Sequence, residues 1–297
     1  MHNTIRPALA LLFLAFFCCS CEKENSVDTG ANARPANLNF IYKFDSLQVR
    51  LDGLGQPTAI PIGNAGQSPR FNGMSAHYIE LTPNAFTSLG GGEVLYHAPE
   101  VTSGGATAID FTRMTIRGNG DVFFSIPLTE VQPGTYNWLR VSLAYQNYTI
   151  TIHGLGTSAP ATVASFIGYR TYIPNFRVKD STVAVNANRD QGYWAFEGSL
   201  MGAGFLRTGQ APPGATTVPN PLFASSPIPA GSCVVTGQFG TPLTITGNET
   251  SDINIEVSLS TNRSFEWRDV DGNGTFDPLN GDAVVDMGIR GMLTRRL

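Results

Sequence analysis

Charge is scarce in this chain: only 14% of its 297 residues are Asp, Glu, Lys or Arg, beside 32 glycines and 19 prolines. Helices need Glu and Lys on the solvent side of each turn, so the shortage argues against a helical protein. Cysteine is as sparse. Cys18, Cys19 and Cys21 crowd near the N-terminus and only Cys233 lies in the body, which excludes a disulfide within the body. In GSCVVTGQF that thiol precedes an apolar run and is expected to be a small buried hydrophobe, not a nucleophile. The formal net charge is −4, with no run of Lys or Arg and no aromatic residues interleaved with basic ones. Nucleic acid is therefore excluded as a partner. HExxH, GxSxG, the P-loop and a GxGxxG between strand and helix are all missing, so no catalytic residue is assigned. Acid pairs such as Asp180 and Asp190, or Glu197 and Glu256, are open to a glycosidase reading but stand out in no way from surface carboxylates.

The first segment, MHNTIRPALALLFLAFFCCSC, carries Arg6 and then an apolar run from Ala8 to Phe17, the length of a signal h-region and too short to span a bilayer. Small and thiol residues lead into Cys21, with Ser20 just before it and Cys18 three positions before it, and the composition then turns polar in EKENSVDTGANARPAN. The stretch resembles a bacterial lipobox, which implies removal of residues 1–20, lipidation of Cys21 and two or three acyl chains as anchor. Glu22, Lys23 and Glu24 resemble the surface-export signal of Bacteroidota-type lipoproteins, which implies the outer membrane and exposure at the cell surface. Residues 21–36 read as a lipidated, flexible tether.

From Leu38 onward, runs such as LNFIYKF, HYIEL, DVFFSIPL, TYNWLRVSLAY, TVAVNAN, INIEVSLS and SFEWRD alternate with period two between Gly, Pro, Asn and Asp. Such spacing predicts an all-β fold, a β-sandwich with long loops and little helix, as one domain over residues 37–297. A turn or two of helix is expected around Pro160 to Phe166. Thr208 to Ser232, with six prolines, reads as a long loop or lid.

Near the C-terminus stands RDVDGNGTFDPLNGD, Arg268 to Asp282. Asp269, Asp271, Asn273, Gly274 and Asp277 fit the first nine positions of an EF-hand calcium loop, with the Thr275 carbonyl as the backbone ligand. Asn280 replaces the bidentate Glu of position twelve, and Asp282 is the candidate to take its role. The flanks read as strands and Pro278 blocks a helix, so the resemblance is to EF-hand-like calcium loops of secreted bacterial β-proteins. A metal-free turn is the alternative, since Asp, Asn and Gly form turns unaided.

Histidine is rare: beyond the signal segment only His77, His97 and His153 occur. Met74 precedes His77 by three residues, and Met74, His77 and His97 form a candidate copper set for an oxidising compartment. The texture of FIYKF, HYIEL and IPLTEVQPGTYNWLRVSLAY, from Leu38 to Tyr145, is similar to the copper-binding β-sandwich of methanobactin-associated periplasmic proteins, and that likeness implies copper held by histidine. The aromatics Tyr145, Tyr148, Tyr169, Tyr172, Tyr193 and Trp194 are expected to fill core, with sugar stacking as the alternative. The expected role is that of a lipid-anchored binding or interaction protein with a calcium loop and an extracellular glycan or protein partner. A copper- or other metal-handling lipoprotein is the second reading, and an unrecognised hydrolase the third.

Overall fold

The computed structural model describes residues 34–52, 55–211 and 233–297. Cys21, the signal segment and most of the tether lie outside the described residues, as does 212–232 of the proline-rich stretch. Pro35 to Leu297 form one unit.

Eighteen strands form among the described residues. In chain order they are β1 (Asn37–Asp45), β2 (Asn64–Gln67), β3 (Arg70–Thr82), β4 (Glu93–His97), β5 (Glu100–Val101) and β6 (Ala108–Asp110). Then come β7 (Val122–Pro127), β8 (Gly134–Gly154), β9 (Thr157–Phe166), β10 (Arg170–Arg177), β11 (Thr182–Asp190) and β12 (Tyr193–Leu200). The last six are β13 (Ala203–Gln210), β14 (Cys233–Ile245), β15 (Ile253–Ser260), β16 (Phe265–Arg268), β17 (Ala283–Asp286) and β18 (Met292–Arg296). Helix is limited among these residues to two three-residue 3-10 turns, Phe111–Arg113 and Leu128–Glu130. No helix among them is long and apolar enough to cross a membrane.

The alternation read from the sequence is what builds the core. In β1, Leu38, Phe40 and Tyr42 are fully buried while their neighbours are partly exposed, and in β15 Ile253, Ile255, Val257 and Leu259 are buried, with Asn254 and Glu256 between them partly exposed. The two strands run parallel and in register from Leu38 opposite Ile253, so their apolar faces coincide. One large sheet runs β13-β12-β9-β8-β14-β18-β15-β1-β7, with β3 and β4 branching from β8. Its β1–β7 end packs back on β3 and β8: Phe44 meets Phe71 at 5.0 Å between ring centroids, Phe71 meets Tyr148 at 5.0 Å, and Tyr96 meets Phe123 at 5.2 Å. The result is the sandwich-like all-β architecture expected from composition. Four strands, β11-β10-β6-β5, and three, β17-β16-β2, form smaller sheets.

Two expectations are corrected. Pro160 to Phe166 is not helical but the core of β9, paired residue for residue with β8 from Thr151 opposite Pro160 to Tyr145 opposite Phe166. Thr208 to Gln210 belong to β13 and not to a loop, held by pairing with Tyr193 to Ala195 of β12.

Candidate metal centre

β8 is central, and residues 139–145 are buried on both faces. One face meets the main core; on the other, Arg140 reaches the Ala85 carbonyl and Glu80, and Ala144 packs on Ile109 of β6. At this doubly covered point the pairing of β3 and β8 breaks twice. Ser75 pairs with Tyr145 and Ala76 with Leu143, so Ala144 is an extra residue on β8; Ala76 and Tyr78 then pair with the adjacent Leu143 and Ser142, so His77 is extra on β3. Bulges re-aim side chains and free backbone groups for other partners. The freed carbonyls are used: Ala98 N donates to His77 O at 2.8 Å, and Ile167 N and Gly168 N both donate to Ala144 O, at 2.8 and 2.9 Å. The end of β4 and the turn after β9 are thereby drawn to the same place. A Cβ on Gly168 would stand 2.7 Å from Ile109 Cδ1 and 3.2 Å from Ala144 Cα, so this close approach favours glycine.

His77, His97 and Glu100 meet there. His77 Nε2 lies 3.0 Å and His97 Nε2 3.4 Å from Glu100 Oε1. Among the described residues, this is the set of three His, Cys, Asp or Glu side chains whose ligand atoms all lie within 4.8 Å of one another. His77 is fully buried, whereas His97 is 44% and Glu100 26% exposed, which leaves the group open to solvent on one side. The Tyr78 ring stacks on His97 at 4.4 Å and meets His77 edge-on at 4.4 Å. Tyr169 donates its hydroxyl to the same Glu100 Oε1 at 3.2 Å.

Burial pushes the His77 imidazole down from 6.5 to about 4, against the opposing pull of Glu100. At neutral pH the ring is therefore neutral, and its link to Glu100 is an Nε2–H hydrogen bond and not an ion pair; Nδ1 is buried without a partner. Burial, and then the charge of Glu100, also raise the Tyr169 hydroxyl well above its ordinary value. A stability prediction follows from His77. Below pH 6.5 the unfolded chain takes up a proton that the folded state refuses, so the metal-free protein should lose about 3 kcal/mol as pH falls from 6.5 to 4 and level off below. Urea unfolding of wild type and His77→Gln across that range tests it. The difference between the two curves should carry the slope, and a flat difference would refute it.

The structure places the other sequence candidates elsewhere. Met74, three residues from His77, belongs to the main apolar core and is fully buried; Glu100 is the third member of the group. His153 hydrogen-bonds through Nδ1 to Ser158 across the β8–β9 hairpin. The Asp-rich segment is the connection between the antiparallel strands β16 and β17, as its flanks implied. Its side chains fall in two groups. Asp269 accepts from Asn273 N and Gly274 N, and Asp271 also accepts from Asn273 N, while Asn273 Oδ1 accepts from Thr275 N at 2.7 Å. Asp282 accepts from Val270 N and Asp277 N, and Asp277 from Leu279 N and Asn280 N. No three of these carboxylates share a point within 4.8 Å.

The candidate acids each have local partners, Asp180 an exposed one in Lys179. Glu197 accepts from the backbone N–H groups of Lys179, Asp180 and Ser181 and from the Ser181 hydroxyl, and these donors outweigh burial to hold its carboxyl below the ordinary value. Glu256 pairs with Arg295, and Asp190 with Arg170. Tyr145, Tyr148 and Tyr193 are core residues, as expected. Trp194 instead joins Phe196, Phe265 and Phe276 around a largely apolar cavity of about 350 Å³ that also touches Pro278 of the Asp-rich connection. Cys233 is a buried thiol, pushed up to about 12 by burial, as the sequence suggested.

Fold and site together define a sandwich-like all-β protein with a partly open cluster of two histidines and a carboxylate. Compared with known proteins, the chain matches no family model, no curated protein and no solved structure.

Proposed function

We propose that this chain is a lipid-anchored cell-envelope protein that binds a transition-metal cation of the copper type at His77, His97 and Glu100. The observation that carries the reading is the convergence of Nε2, Nε2 and Oε1 from two chain segments, β3 and the short β4–β5 connection, on one partly open point. Two imidazoles and a carboxylate suit a borderline divalent cation, and among such cations Cu2+ binds most tightly to nitrogen and oxygen donors. The burial that keeps the His77 imidazole neutral leaves a lone pair on its ring at physiological pH, as ligation requires. Loading Nε2 moves the ring proton to Nδ1, where no protein acceptor stands, and that cost favours exchange over permanent retention. Handling of metal is therefore favoured over a structural role. The lipobox-like residues before Cys21 support the envelope address. Metal analysis of the full chain purified from cupric medium tests the reading: one equivalent of metal is expected, and none would sink it.

A structural calcium ion in the β16–β17 connection is a second proposal, with Asp269, Asp271, Asn273 and the Thr275 carbonyl as its ligands. It is supported by the turning of both Asp269 and Asp271 toward the same Asn273 N–H, each at 3.2 Å. Added calcium should raise the melting temperature of the chelator-treated protein by several degrees, about 2.7 kcal/mol at a hundredfold excess over Kd. Superposable melts in calcium and in chelator would remove the ion.

A further inference from the structure

Glu100 Oε1 has three neighbours, not two: His77 Nε2 at 3.0 Å, His97 Nε2 at 3.4 Å and Tyr169 Oη at 3.2 Å. Neighbouring ligands bonded to one cation at about 2.0–2.1 Å stand roughly 2.8–3.4 Å apart, from square-planar to tetrahedral geometry, so the three separations from Glu100 Oε1 fit edges of a coordination polyhedron. Tyr169 is also positioned with care. Its turn is fixed by the two N–H groups of Ile167 and Gly168 on the bulged Ala144 carbonyl, and its ring lies 5.2 Å from that of His77 at 31°. Its hydroxyl has one further contact, the Thr107 carbonyl at 3.3 Å.

We propose that Tyr169 Oη is the fourth ligand, so that the cation is held by two imidazoles, one carboxylate and one phenolate. The inference rests on the reading of the His77, His97 and Glu100 group as a metal site and deepens it by naming a fourth, anionic ligand. Two anionic oxygens and two neutral nitrogens, with no sulfur, select an oxidised cation such as Cu2+ against Cu+, which prefers thiolate and thioether. As the oxygen–metal bond forms, the O–H bond breaks and its proton passes to solvent through the open side of the group; the cation keeps its oxidation state throughout.

Such a site is coloured, because phenolate bound to an oxidised copper or iron cation gives an intense charge-transfer band in the visible range, whereas imidazole and carboxylate ligands alone do not. The test titrates the metal-stripped full chain with cupric ion alone, following both stoichiometry and visible absorption. Wild type should bind one equivalent and develop the band. Tyr169→Phe, which keeps the ring, should still bind one equivalent, weakened by about tenfold or more, without the band. Tyr78→Phe should keep it. Resonance Raman of the wild type, excited in the band, should show tyrosine ring modes that move on ring deuteration, and this measurement decides the matter should the Tyr169 variant fail to fold. A band that survives Tyr169→Phe, or one-equivalent binding by the wild type without a band, overturns Tyr169 as ligand and leaves the three-residue site standing. Failure of the wild type to bind an equivalent that His97→Ala abolishes overturns the underlying reading.

Discussion

The His97→Ala variant should lose affinity for cupric ion by more than roughly 100-fold while its metal-free melting temperature stays within a degree or two of wild type. The magnitude follows from position: partners one shell removed from a metal are worth 10–100-fold, and His97 would be a direct ligand. The unchanged melt follows from exposure. His97 is 44% exposed at the end of β4, its removal leaves Glu100 still accepting from His77 and Tyr169, and truncations of such surface groups usually cost about 0.5 kcal/mol or less. Metal should therefore separate the two proteins sharply. At a hundredfold excess over Kd a cation stabilises by about 2.7 kcal/mol, which for a body of this size is roughly 5–10 °C. Wild type should show that rise in cupric ion and His97→Ala should not. Equal affinities by calorimetric titration, or equal shifts, would remove His97 from the site.

Much of this molecule is legible in its sequence, and the parts that are not share one cause. LNFIYKF and INIEVSLS announce their own burial because period-two alternation is all a strand pair needs, and the structure pairs them face to face. The Asp-rich connection is equally plain, since Pro278 and the strand-like flanks leave only a turn between strands. Pro160 to Phe166 misleads because alanines in PATVASF carry little strand preference of their own, and pairing with β8 on one side and β12 on the other overrides it. The metal group is half legible. Histidines declare themselves as ligands by type, but Met74 as a partner for His77 ignores the pleat: residues an odd number apart face opposite sides of a strand, so Met74 joins the main core with Ala76 while His77 faces away. Glu100 was marked only by the spacing His97-Ala98-Pro99-Glu100. Tyr169 had no local signal, because what brings it in is a pair of bulges, and a bulge is a property of two strands and not of one.

Replacing Glu266 should destabilise the fold by about 3–5 kcal/mol, the largest single loss expected outside the apolar core. β16 is buried on both faces: Phe265 and Trp267 enter the core, and between them Glu266 is only 3% exposed. Its Oε2 accepts from Arg50 and from Arg290, each at 2.8 Å, and its Oε1 accepts from Asn64 on β2 at 2.6 Å. Arg290 also pairs with Asp286, so two arginines and two carboxylates balance inside the protein. Burial, and then Arg290, push the Arg50 guanidinium down, against the opposing pull of Glu266 and Asp286. Glu266→Gln keeps the volume and an acceptor for Asn64 yet leaves one positive charge without its counterpart, so most of the loss should appear in this variant too. The balance argument has a sharper consequence. Adding Arg50→Met to Glu266→Gln restores neutrality with Arg290 and Asp286 intact, and the double variant should be more stable than the sum of the single losses by about 1–3 kcal/mol. Denaturant unfolding of the four proteins reads that coupling directly, and strict additivity would show that Glu266 acts through packing and not through charge. Because β16 and β17 are the strands that carry the Asp-rich connection, the same cluster sets the base on which that turn is held.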